Sequence, residues 1–204
     1  MLRSVISWIV LVSPRELPGT AAWRHLDARV GFEVVFLQRE KDGYQLDGHS
    51  AAMDDGQAWG IRYTLGVDAS WATRSAHIIG RSAIGASEVE LEADGTGRWW
   101  VNGERAPHLD GCLDVDLEAS AFTNTLPVQR LALNVGQQAD APAAYVRALD
   151  LRVERLEQSY LRLPDEGRNS HYGYVSPAFD FSAELVYDEF GLVLDYPGIA
   201  ARVG

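Results

Sequence analysis

The chain has one cysteine in 204 residues, Cys112. That excludes an intramolecular disulfide framework and leaves any thiolate metal site a single ligand. Lysine is almost as scarce: Lys41 stands alone, the other basic residues are arginines scattered along the chain, and 18 basic against 29 acidic residues give a net charge of −11. Such a balance repels phosphate backbones and anionic membrane surfaces unless a local basic patch overrides it. The sequence shows no such patch, so nucleic acid is excluded as an expected partner. Long apolar runs are also missing. Val5 to Val12 is closed by Ser13-Pro14-Arg15-Glu16, well short of the roughly 20 apolar residues of a membrane span. No stable membrane insertion is expected. No convincing small-residue cleavage site precedes Leu17-Pro18-Gly19, so residues 1–20 read as an N-terminal extension, with residues 21–204 as one domain in a reducing cytoplasm.

Local catalytic signatures are absent too. There is no G-x-S-x-G elbow, no phosphate loop, no dinucleotide glycine fingerprint and no H-E-x-x-H helix. The histidines, His25, His49, His77, His108 and His171, form no chelating pair, so no metal or other cofactor is expected.

What the chain does have is a period of two. Gly56 to Asp68 alternates Trp59, Ile61, Tyr63, Leu65 and Val67 with Gly60, Arg62, Thr64, Gly66 and Asp68. This is the pattern of a half-buried strand. A short link near Ala69 leads to a second strand, Trp71 to Ile79. Ser87 to Ala93 then sets Val89 and Leu91 against Glu88, Glu90 and Glu92. A turn at Asp94-Gly95-Thr96-Gly97 returns the chain as Arg98-Trp99-Trp100-Val101. Shorter strands are expected at Leu113–Leu117, Arg130–Val135, Tyr145–Val153, Ser159–Leu163, Tyr172–Ser176, Phe181–Tyr187 and Leu192–Tyr196, with an ordered loop or single helical turn over Glu118–Pro127. The fold class is all-β and mainly antiparallel.

Two groups of residues could carry chemistry. Asp114 and Asp116 fall on one face of a short strand, where two buried carboxylates would raise at least one pKa. The aromatics Tyr63, Trp71, Trp99 and Trp100 lie among Arg62, Arg74, Arg130 and Asn124, a mixture of flat apolar surface and planar hydrogen-bonding groups. Arg62 and Arg74 sit on neighbouring strands and could converge on Asp114 or on an anionic group. Cys112 reads as a small packed side chain rather than a nucleophile.

Three strings, Arg98-Trp-Trp-Val-Asn-Gly103, Gly111-Cys-Leu-Asp-Val-Asp-Leu117 and Phe122-Thr-Asn-Thr-Leu-Pro127, resemble in their order the bacterial putative glycolipid-binding family. So do Tyr63-x₇-Trp71-x₂-Arg74, Gln158-Ser-Tyr160 and the closing Asp188-Glu-Phe-Gly191 to Asp195-Tyr196-Pro197. The resemblance covers residues from about 22 to 203. Ala121 departs from it, standing where the family tends to have proline, and residues 1–20 have no counterpart. It implies a single strongly twisted sheet forming a half-barrel or open barrel, with a concave apolar groove for a lipid or glycolipid. Expected ligand residues are Arg62, Tyr63, Trp71, Arg74, Trp99, Trp100, Asp114, Asp116, Asn124 and Arg130. Non-catalytic binding is the leading reading. A structural homodimer is the alternative, followed by a small-molecule hydrolase or isomerase using Asp114 and Asp116 with an arginine.

Overall fold

Alternation becomes hairpins when glycine or asparagine supplies a positive φ at the turn, and this chain does so repeatedly, at Asp55-Gly56 and at Asn102-Gly103 among others. The computed structural model describes residues 17–27 and 29–204; most of the expected N-terminal extension therefore lies outside the described residues. The first strands are β1 (Thr20–His25), β2 (Val30–Glu40), β3 (Gly43–Asp54), β4 (Gln57–Asp68), β5 (Thr73–Ser82), β6 (Gly85–Ala93), β7 (Trp99–Val101) and β8 (Glu104–Arg105). Then come β9 (Asp114–Leu117), helix α1 (Thr125–Leu131), β10 (Gln138–Asp140), β11 (Ala143–Val146) and β12 (Val153–Leu156). The chain closes with β13 (Ser159–Glu166), β14 (Asn169–Ser176), β15 (Phe181–Tyr187), β16 (Val193–Tyr196) and β17 (Ala200–Arg202).

Fourteen of these strands form one antiparallel sheet in the order β10-β13-β14-β15-β16-β17-β1-β2-β3-β4-β5-β6-β7-β8, which is not closed into a barrel. Strand β1 lies in the middle, between β17 and β2, and so brings the first and last described strands side by side. A second sheet of β12, β11 and β9 contains a parallel pair, β9 with β11. It adds a layer that alternation alone did not suggest.

The residues that alternation assigned to the core of β4 are buried, and their partners across β3 and β5 are buried with them: Leu46 opposite Leu65, and Tyr63 opposite Ile78. At the centre, Trp23 is fully buried, donates from Nε1 to the Val193 carbonyl at 2.8 Å, and packs against Phe122 at 5.9 Å between ring centroids. Phe122 belongs to the segment between β9 and β11, which covers the inner face of the large sheet. Both halves of that sheet hold this segment. From one side Ser50 donates to the Ala119 carbonyl at 2.5 Å, and from the other Tyr160 and Tyr187 donate to the Asn124 side chain and carbonyl at 2.9 and 3.3 Å.

Two expected strands are corrected. Arg130 and the residue after it lie in α1, not in a strand, because Pro127 fits a first helical turn where no N–H is required, and Ala132 (φ 44°) ends the helix. The expected strand Tyr145–Val153 is broken in two: Tyr145 and Val146 end β11, Val153 opens β12, and residues 147–152 form the bend of their hairpin. Leu151 takes a positive φ of 55° there, and the Asp150 carboxylate accepts from the Arg152 N–H at 3.0 Å.

Candidate functional site

Two buried carboxylates face the inner segment, and they differ in how their oxygens are used. Glu33 lies in phase with Val35 on β2 and is fully buried. Its Oε1 accepts from the Tyr63 hydroxyl at 2.6 Å and from the Ser120 hydroxyl, and its Oε2 accepts from the Ala121 and Phe122 N–H groups at 2.8 and 3.3 Å. Burial pushes its carboxyl upward, and these four donors oppose that shift. Gly48 makes the arrangement possible, since a Cβ there would lie 1.9 Å from Cζ of the Tyr63 ring across the ladder.

Asp116, on β9, is also buried, but its Oδ1 accepts from the Thr123 hydroxyl at 2.9 Å and no other donor reaches it among the described residues. Burial pushes its pKa up to about 6; the nearby charges of Asp114 and Glu118 add to this and the Thr123 bond opposes it. Asp116 lines a cavity of about 230 Å³ between the inner segment and the β13–β17 half of the large sheet. Its walls include Tyr145, Tyr174, Tyr196, Phe179 and Phe181. Tyr174 packs against Tyr160, Tyr196 and Phe181 at 5.2, 5.9 and 6.1 Å, and Tyr145 against Phe179 at 5.6 Å. The polar lining is Asn124, Ser120, Ser176, Glu118, Arg29 and Asp54. Ser176 is buried beside the Tyr174 hydroxyl, yet its own hydroxyl makes no hydrogen bond of proper geometry. Arg29 marks the rim, donating to the Glu118 carbonyl at 2.6 Å and lying over the Trp59 ring at 5.3 Å. Flat aromatic walls with hydroxyl, amide and carboxyl groups between them can hold a small polyhydroxylated ring.

Of the ten expected ligand residues, the fold brings Asp116 and Asn124 into this cavity. Tyr63 belongs to the Glu33 network. Asp114 accepts three bonds from Arg130, at 3.0 and 3.3 Å from Nε and 2.6 Å from Nη2, and is completely buried; burial pushes its carboxyl upward while Arg130 opposes the shift. This pair ties α1 to β9. Trp99 is buried and donates to the Cys112 carbonyl at 2.8 Å, and Trp71, at a positive φ of 67°, stacks on Tyr44 at 4.8 Å. Trp100 is half-buried under the Arg105 guanidinium. Arg62 and Arg74 do not converge on Asp114. Arg62 points away from the inner face because it is out of phase with Tyr63, standing across from His49 and Ile79, and Arg74 is exposed where the β4–β5 register shifts between Gly66 and Val67, pairing at 3.7 Å with Asp68. Cys112 is packed and free, and burial raises its thiol to about 11.

The tyrosines at 145, 174 and 196 were not among the expected ligand residues. A signal was present: six of the eight tyrosines lie after residue 144, which marks that half as richer in polar-tipped rings than a plain core requires. Among the described residues no group of three or more His, Cys, Asp or Glu could hold a metal ion, and no helix is long and apolar enough to cross a membrane.

A solved structure of a DUF1089 family protein from Pseudomonas aeruginosa is similar to this chain at 34% identity and a TM-score of 0.73, covering 98% of this chain and 100% of that one. A β-barrel-like protein of domain of unknown function DUF1849 from Brucella abortus is similar at 13% identity and a TM-score of 0.49, over 90% and 93%. None of the curated proteins compared matches the chain. The model of the family described as putative glycolipid-binding matches residues 20–202, and the chain belongs to that family.

Proposed function

We propose that the chain binds an amphiphile non-covalently by taking its sugar-sized polar head into the aromatic cavity around Asp116. The observation that carries this reading is the unsaturated, buried carboxyl of Asp116 in a tyrosine-walled cavity. At about 230 Å³ the cavity is smaller than the roughly 300–1,000 Å³ of pockets that enclose a drug-sized ligand. It suits one ring, with acyl chains left outside. Near neutrality Asp116 can accept from ligand hydroxyls, and Asn124, Ser120 and Ser176 can supply the complementary bonds.

The test is to incubate the purified protein with a bacterial lipid extract and identify retained material by native mass spectrometry. Glycolipid adducts are expected, and Tyr145→Ala or Ser176→Ala should weaken retention about tenfold. A protein that stays free of adducts across lipid classes would overturn the reading. A second reading rests on the same carboxyl, because a group with a pKa of about 6 can give and take a proton at neutral pH. Product analysis after incubation with glycosides and esters separates the two. Turnover that Asp116→Asn abolishes while binding persists would favour catalysis.

A further inference from the structure

Register assembles on the outer face of the large sheet something that the linear sequence hides. One cross-strand row runs Arg24, Phe32, Ala51, Gly60, Arg81, Ala86, and the next runs Val34, His49, Arg62, Ile79. All of these residues except Arg24 line an open hollow of about 570 Å³, and at Gly60 nothing lies within 4 Å of a Cβ position. Apolar side chains in and beside these rows are bare: Phe32 is 47% exposed, and flanking the rows Val30 on β2 is 81% and Ile84 at the β5–β6 turn 70% exposed. Among the described residues Arg24, Arg62 and Arg81 have no carboxylate within 4 Å, whereas most of the other described arginines are paired. Of the carboxylates on this face, Glu88 is taken by His77 at 2.6 Å and Asp47 accepts from Gln45 and Thr64, while Glu90 and Glu92 lie one and two rows beyond Glu88, farther from the hollow.

We propose that this face docks the protein on the surface of an anionic lipid bilayer. Three unpaired guanidiniums around protruding Phe, Val and Ile side chains combine the two forces that hold a peripheral protein at a membrane interface, apolar burial and attraction to anionic headgroups. The rest of the molecule makes the orientation specific. With a net charge of −11, the chain as a whole is repelled by the same surface, which opposes docking through faces that lack unpaired arginines. The patch also adjoins the cavity: Val30 and its ladder partner Met53 are chain neighbours of the rim residues Arg29 and Asp54. A head group could then enter the cavity while its acyl chains stay in the bilayer. The docking itself rests on the outer face alone and does not require the reading of the cavity.

The test is co-flotation of the full chain with phosphatidylcholine vesicles, with and without phosphatidylglycerol, at low and physiological ionic strength, no glycolipid being added. Binding is expected with phosphatidylglycerol, weakening as salt rises. The double variant Arg24→Gln/Arg81→Gln should lose about thirtyfold in partitioning, at about one kcal/mol per arginine, and Phe32→Ser about tenfold. All three side chains are exposed, so unchanged thermal unfolding serves as the folding control. Absence of flotation at low salt, equal binding to both vesicle types, or wild-type behaviour of the double variant would overturn the proposal. So would a dimer in sedimentation velocity that Phe32→Ser dissociates, since the face would then join two copies. Retention of detergent-solubilised glycolipid by the double variant separates this proposal from that of the cavity: flotation without any ligand retention leaves docking standing and removes the head-group reading.

Discussion

Glu33 and Asp116 are both buried carboxylates facing the same inner segment, yet one is a fastener and the other an open site. Glu33 has four donors on its two oxygens; Asp116 has one donor and a cavity. Burial raises the pKa of both, so titration alone does not separate them. Saturation does. A carboxylate whose oxygens are filled by protein donors holds structure together, and one left unsaturated beside a cavity has capacity for a ligand.

The largest effect should come from breaking the fastener. Glu33→Ala leaves two hydroxyls and two N–H groups buried without partners, and a loss of roughly 4 kcal/mol or more is expected in urea unfolding. A loss under about 1 kcal/mol would mean that water replaces the carboxylate and that the contrast with Asp116 is false.

Asp116→Asn should act in the opposite direction, and in a pH-dependent way. Because the folded-state pKa of about 6 lies above the ordinary 3.8, protonation favours folding. The stabilisation is complete below about pH 4 and is lost as pH rises through 6. At pH 7 the difference corresponds to about 3 kcal/mol, so the variant should be about 2–3 kcal/mol more stable than the wild type there and close to it near pH 4. Unfolding curves at the two pH values check this; destabilisation at pH 7 would put Asp116 with Glu33 as a structural group.

A smaller effect, roughly 1–3 kcal/mol, is expected from Gly48→Ala, whose methyl group must displace the Tyr63 ring and so disturb the Glu33 network without touching its bonds directly. It should leave the pH dependence assigned to Asp116 unchanged. The smallest belongs to Arg74→Gln. Its exposed pair with Asp68, 3.7 Å apart, should contribute within about 0.5 kcal/mol, and a larger loss would show that Arg74 does more than pair at the surface.

Much of the architecture was legible because alternation is a local property. Trp59 to Val67 announce a strand with one buried face, and Glu88, Glu90 and Glu92 announce the solvent face of another. Where local signals compete, reading fails. Arg130 continues an apolar alternation, but Pro127 and the left-handed Ala132 make that stretch a helix that delivers its guanidinium to Asp114. The site was half legible. Asp116 and Asn124 carry recognisable polar chemistry, whereas Tyr145, Tyr174 and Tyr196 look like any core tyrosine until β11, β14 and β16 meet around one cavity.

The single cysteine and the period of two determined, from sequence alone, an all-β chain without an intramolecular disulfide. The family strings added the family. Tertiary structure decided what the charges do. Glu33 is filled and Asp116 is open because of which donors the inner segment presents, and that depends on contacts between residues some 90 positions apart in one case and 7 in the other. The arginines that look scattered in the sequence become neighbours because antiparallel register aligns Arg24, Arg62 and Arg81 across five strands. A period along one strand is fixed by the chain's own geometry; which residues oppose one another across strands is fixed only when the sheet assembles.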